Sequence, residues 1–522
     1  MNRFLNNSCN MNLKMFFVTL ALIAGLTSTT LAQKKNFTMA EAVNGMSSKF
    51  AVSNLKQLQW TGNADYYAYV VSNDSEKKVM IVNPENHIPK ELTNLDQLNK
   101  ALDKKDVKKL TGIPAISFLN NQSFYFNTDN KMVECSMLED KLKITNVTEL
   151  PEDADPISVD TFTMKMAYVS KDNLYIKSKG NKPLQLTKDG SYHIVYGDSI
   201  HRNEFGIDDA IFWSPRGNYL AFYRQDQSMV EDYPIVNWVD VPATVKNIKY
   251  PFAGRTSHQV TIGVYDYATG KLIYLKTGEP KDQYLTTVTW SPDEKYIYVS
   301  LLNREQNHLW MNRYDAHTGE LVKTLFEEKN DKYVEPQHVL YFPTEDPNQF
   351  IWWSQRDGYM HLYLYVNDKE VAQLTSGNWV VNEILGYNRK ANEIIFTSSK
   401  ESPMQKNVYG VKLDTKEMRR FSTSFATHTA QLSHSGVWLI DNFTSRDIPR
   451  AIDVCNLYTK DDKRLLTAAN TLLDYNTART EQINLHTEDG TVLYGKLVYP
   501  TDFDSTKNIR QLFISIMVPM CN

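Results

Sequence analysis

Residue 204 is a glutamate set between the polar His201-Arg202-Asn203 and the apolar Phe205, a few residues ahead of Ile211-Phe212-Trp213. A carboxylate between a polar turn and a buried strand can enter a cavity instead of bulk water, where it becomes a candidate functional acceptor. The competing reading is an ion pair with Arg202. Other chemistry is thin. A serine nucleophile needs a sharp glycine-flanked turn, a histidine base and an orienting acid, and no Gly-x-Ser-x-Gly occurs. Gly197-Asp198-Ser199-Ile200-His201 lacks the second glycine and precedes a strand, so it reads as a polar turn. There is no His-Glu-x-x-His, and Ala268-Thr269-Gly270-Lys271 lacks the first glycine of a phosphate loop. Neither a metal nor a cofactor is expected. The 11 histidines do not cluster in sequence. His201, His258, His308 and His361 could line a channel, or be ordinary surface or hydrogen-bonded residues.

The elements that must position Glu204 repeat. An apolar strand, a polar turn and a second aromatic strand recur as Gln59-Trp60 with 66–71, 116–119 with 123–126, Phe162 with 166–169, and 212–215 with 219–224. Later copies are 288–292 with 295–299, 339–343 with 350–353, 383–386 with 393–397, and 430–432 with 437–440. A second hairpin follows each, as in Leu174-Tyr175-Ile176-Lys177. Four short strands per unit of about 40 to 60 residues, without a long helix, predict an all-β, eight-bladed β-propeller. It is placed at residues 33–473. Gly270, Gly319 and Gly358 then belong to hairpin turns. One blade is interrupted by an insertion at 225–261, an arm that could join two copies of the chain. After Leu473 the rhythm changes, and the hairpin 481–485 with 492–499 opens another domain at 474–522.

Composition agrees with an exported β protein. The 522 residues are 42% hydrophobic and 12% aromatic, favouring strands. A net charge of -4 supplies no basic field for nucleic acid. Arg3 and Lys14, an apolar run at 15–26 and the small residues before Gln33 predict a signal peptide at 1–32, cleaved after Ala32. The run is shorter than the roughly 20 residues of a membrane span, so no stable span is expected, an uncleaved anchor being the alternative. Export leads to the periplasm or the exterior. Cys9 lies in the leader, and Cys135, Cys455 and Cys521 are too few and too dispersed for a disulfide framework, so buried free thiols are expected.

Three stretches carry a resemblance: IHRNEFGIDDAIFWSPRGNYLAFYRQDQS, YPFAGRTSHQVTIGVYDYATGK and WWSQRDGYMHLYLY. Together they resemble the propeller of dipeptidyl peptidase IV-like serine peptidases of the prolyl oligopeptidase clan, over about residues 35–507. The resemblance implies a propeller capping an α/β-hydrolase domain, in an exopeptidase that releases Xaa-Pro or Xaa-Ala dipeptides from free N-termini. It implies that Glu204 matches the second member of a double-glutamate loop that grips the substrate ammonium, with Asn203 in place of the first. A carboxylate there accepts charge-assisted hydrogen bonds of about 1.5 to 3 kcal/mol each. One glutamate instead of two leaves tripeptide release open. The family's early-blade arginine has no match between Ile116 and Leu138. Residues 508–522 read as a shifted frame of the next family strand, so a truncated hydrolase start and a chain inactive by itself are expected. The alternative is a non-catalytic peptide- or protein-binding propeller.

Overall fold

The structure, a computed structural model, describes residues 34–103, 105–459 and 461–507 and the strand Ile514–Met517. The expected leader with its cleavage after Ala32, Cys9, Cys521 and most of the expected shifted-frame segment 508–522 lie outside these residues.

From Lys56 to Thr467 the described residues form eight successive small antiparallel sheets, seven from consecutive strands and the fourth interrupted by an inserted two-stranded hairpin. Blades 1 to 4 span 56–94, 116–149, 157–185 and 194–274, and blades 5 to 8 span 284–329, 349–373, 381–420 and 427–467. This is the expected eight-bladed propeller. Two details differ. Phe162 is not a strand residue: its N–H donates to Asp160 Oδ1 (3.0 Å), and the Asp160-capped turn leaves the ring exposed. The strand expected at 339–343 shrinks to a single bridge, Tyr341 with Ile351.

Packing explains the residue pattern. A blade is covered on both faces by its neighbours, so its middle strands read as unbroken apolar runs and not as alternation. Phe350-Ile351-Trp352-Trp353 and Leu362-Tyr363-Leu364-Tyr365 are buried throughout. Outer strands such as Asp462–Thr467 are charged and exposed, which discourages edge-to-edge pairing. The core is divided accordingly, one apolar cluster lying between each pair of adjacent blades. Ala221, Tyr223 and Ile262 of blade 4 meet Leu285, Ile297 and Val299 of blade 5, for example.

The first turn of a blade reuses one device. Tyr219 N–H donates to Ser214 Oγ (2.9 Å) while Ser214 N–H donates to the Tyr219 carbonyl (3.0 Å). Ser291 with Tyr296 and Ser433 with Trp438 repeat both bonds. A serine at that position thus satisfies a turn donor that the ladder cannot reach. The ring closes without a shared strand. Trp60 Nε1 donates to the Gln431 carbonyl (2.9 Å), Ser435 N–H donates to Asp65 Oδ1 (3.1 Å), and Tyr67 and Val82 pack on Trp438, Ile440 and Ile452.

The described residues of 1–52 and 469–518 form a second compact unit, so 34–52 groups here and not with the propeller to which the sequence assigned it. Thr38 and Glu41 form a capping box on the short helix Met39–Asn44. Phe37 stacks on Tyr475 (4.8 Å), which also meets the edge of Phe50. Thr480–His486, Val492–Val498 and Ile514–Met517 make its three-stranded sheet.

Candidate functional site

The Glu204 loop lies within blade 4, between its strands Ile194–Tyr196 and Ile211–Trp213, and the chain pins it on both sides of the acid. Ile200, Ile207 and Ala210 are buried in the core between blades 4 and 5. Phe205 instead enters the core between blades 5 and 6, its ring 4.9 Å from Tyr284. The loop therefore bridges the top of blade 5. Inside it Asn203 N–H donates to the Ile200 carbonyl (3.1 Å), Glu204 N–H to His201 (3.2 Å), and Ile207 N–H to Glu204 (3.2 Å). His201, Asn203 and Phe205 all have left-handed backbones, with φ of 50, 62 and 59°. Such residues cost of order 1–3 kcal/mol each and persist only where the surroundings hold them. Gly206 (φ +67°) approaches the connection between blades 5 and 6 so closely that a Cβ would lie 2.1 Å from the Gln337 carbonyl oxygen.

Asn203 and Glu204 are the exposed residues at the crest. Sequence reasoning put the carboxylate in a partly dehydrated cavity; the structure leaves it open on one side, because the neighbouring anchors turn inward. Among the described residues no hydrogen bond or ion pair engages it. The Arg202 side chain, its expected alternative partner, lies outside the described residues. A carboxylate so held can accept hydrogen bonds from an incoming cation without first surrendering a described partner. Near it, Glu335 and Pro336, just before Gln337, line a cavity of about 430 Å³ with Lys332, Tyr333, Trp353 and Arg356.

The histidines take the hydrogen-bonded alternative. His201 and His258, 57 residues apart, meet through Nδ1 and Nε2 at 2.8 Å and are both buried. Their contact was not legible because a whole hairpin, residues 232–249, lies between them in sequence. His201 also lies edge-on to Tyr284 at 4.8 Å, and its own Nε2 is buried without a hydrogen-bond partner. Burial, with His258 and Arg304 nearby, holds the His201 pKa well below the ordinary histidine value. Arg304 Nη1 donates to the Tyr284 hydroxyl, which Gln306 Nε2 also reaches at 3.2 Å. His361 is sealed in blade 6 by Thr375 Oγ1 and the Gly377 carbonyl, while His308 pairs with Glu327. Blade 2 supplies no arginine from 116–138.

The insertion is a projecting hairpin, Asp232–Asn237 with Thr244–Lys249, set between strands that pair out to Asp226 and Gln259. Trp238, Val239 and Val241 at its tip are 80%, 89% and 97% exposed, more apolar surface than a solvated hairpin end requires. Cys135 is buried and Cys455 half-buried; both are free thiols, and burial pushes the Cys135 pKa up to about 12.

Comparison with known proteins agrees with this architecture. The profile of the dipeptidyl peptidase IV (DPP IV) N-terminal region matches residues 126–450. A protein described as dipeptidyl-aminopeptidase B of Talaromyces marneffei is 30% identical over 317 residues, 54% of this chain and 35% of that protein. Dipeptidyl-aminopeptidase B of Aspergillus niger is 26% identical over the same number of residues, again 35% of its length. The chain thus spans about a third of the curated relatives it matches. A crystal structure described as a dipeptidyl aminopeptidase IV of Bacteroides ovatus superposes with a TM-score of 0.83 at 34% identity, covering 91% of this chain and 68% of that one. Porphyromonas gingivalis dipeptidyl peptidase 4 shares the fold, with a TM-score of 0.72 at 20% identity over 90% of this chain and 68% of its own. With the matched profile spanning blades 2 to 8 and the fold shared over nearly all of the chain, this protein belongs to the dipeptidyl peptidase IV N-terminal region family.

Proposed function

We propose that this propeller is the recognition part of an exported serine exopeptidase that releases Xaa-Pro or Xaa-Ala dipeptides, or tripeptides, from peptides with a free N-terminus. Glu204 accepts hydrogen bonds from the α-ammonium, and the Asn203 amide oxygen adds a neutral acceptor. The observation that carries the reading is the Glu204 carboxylate itself, exposed on a strained, doubly anchored loop and engaged by no described partner. An acetylated N-terminus offers neither the charge nor the three donors, so discrimination follows from chemistry and not from shape alone. In calorimetry, Glu204→Gln should weaken binding of an Ala-Pro-Ala peptide by about ten-fold or more while leaving its N-acetylated form unchanged. Equal affinity of the variant and the original chain for the free peptide would refute the assignment.

The 522 residues contain no Gly-x-Ser-x-Gly, which favours non-catalytic capture as a second reading for a polypeptide of these residues alone. Such a polypeptide should bind the peptide yet leave a Gly-Pro chromogenic substrate uncut. Turnover abolished by Glu204→Ala would contradict that. The leader at 1–32 supports export, and amino-terminal sequencing of protein recovered outside the cytoplasm should begin at Gln33.

A further inference from the structure

We infer that His258, at the returning foot of the arm, is a positioning residue that holds Glu204 in its binding geometry by hydrogen bonding to His201. The inference rests on the reading that Glu204 binds the peptide ammonium. Among the described residues nothing grips the carboxylate itself, so its position is inherited from the backbone beneath it. That backbone is left-handed at His201, Asn203 and Phe205. Of the loop's side-chain anchors beside the crest, Phe205 is apolar and tolerates sliding against Tyr284. His201 is the directional one, and its hydrogen bond to His258 at 2.8 Å fixes the ring in azimuth as well as depth. The Glu204 N–H donates to the His201 carbonyl, so a shift of His201 moves the acid directly.

The contact has a chemical condition. One facing nitrogen must donate and the other accept, so a doubly protonated pair would oppose two N–H groups and separate. The groups facing His201 are His258 from the arm foot and Arg304 and Tyr284 from blade 5. Arg304 and burial both disfavour a charged ring there. The burial that keeps His201 neutral therefore keeps the pair in its donor–acceptor state, and the same bond links the root of the arm to the recognition acid.

The test uses the complete chain, Ala-Pro-Ala with a free or acetylated N-terminus, calorimetry at about pH 7, and hydrogen exchange at the Asn203, Glu204 and Ile207 amides. His258→Ala should lose about ten-fold in affinity for the free peptide and speed exchange at those three amides. His258→Gln should restore affinity to within about three-fold, because the amide can donate to the neutral His201 ring. If His258→Ala keeps both affinity and protection while Glu204→Gln loses binding, the positioning role is overturned and the Glu204 assignment stands. If Glu204→Gln binds like the original chain, the assignment fails and the inference falls with it. Should the alanine variant not fold, His258→Gln and His258→Phe decide: equal affinity and equal amide exchange in the two overturn the role.

Discussion

Gly206 sets how closely the Glu204 loop can lean on the connection between blades 5 and 6. A methyl group there would sit 2.1 Å from the Gln337 carbonyl oxygen, and the backbone is left-handed besides. Gly206→Ala should therefore cost about 1–3 kcal/mol in urea denaturation and weaken binding of free-amine peptides. Unchanged stability would show that the Gln337 segment yields easily. At this scale the sequence brought Glu204 and Asn203 forward because both belong to a short contiguous motif. It was silent on His258, whose partner lies across the whole arm, and misleading on Glu204 burial. Exposure depends on where the flanking Ile200 and Phe205 find their cores, and those cores belong to three different blades.

The strands were the most readable elements, since each pair is local and its turn is written in serine, glycine and aspartate. Phe162 shows the limit. An aromatic at strand spacing was read as core, but Asp160 two residues earlier captures the backbone and makes the position a turn. The arm invites a prediction of its own. Its exposed Trp238, Val239 and Val241 support a homodimer joined through residues 225–261, because a hairpin end so apolar is stabilised by a covering surface. Trp238→Ser combined with Val239→Asp should shift the sedimenting species from dimer to monomer without altering the far-ultraviolet circular dichroism. A dimer that persists would place the contact elsewhere.

For the whole propeller, buried histidines set an acid limit. Burial lowers the His338 pKa from 6.5 to about 4, and His201 and His361 are lowered too. Above pH 6.5 these rings are neutral whether folded or not, and contribute no pH dependence. Below it the unfolded chain takes up protons that the native rings refuse, so unfolding becomes easier by up to about 1.4 kcal/mol per pH unit for each ring. Melting temperatures should fall steadily from pH 6.5 towards about 4, and His338→Gln should reduce that slope. A flat profile would mean that these rings open to water. The eightfold repeat was legible in full, yet its seam was not, because Trp60 and Gln431 are 371 positions apart. That seam makes the ring a chain of equal links fastened by contact and not by a clasp. Prying Trp60 away from Gln431 would leave every blade with its own hydrogen-bonded ladder, so the circle can part there as an intact ribbon before any single link unravels.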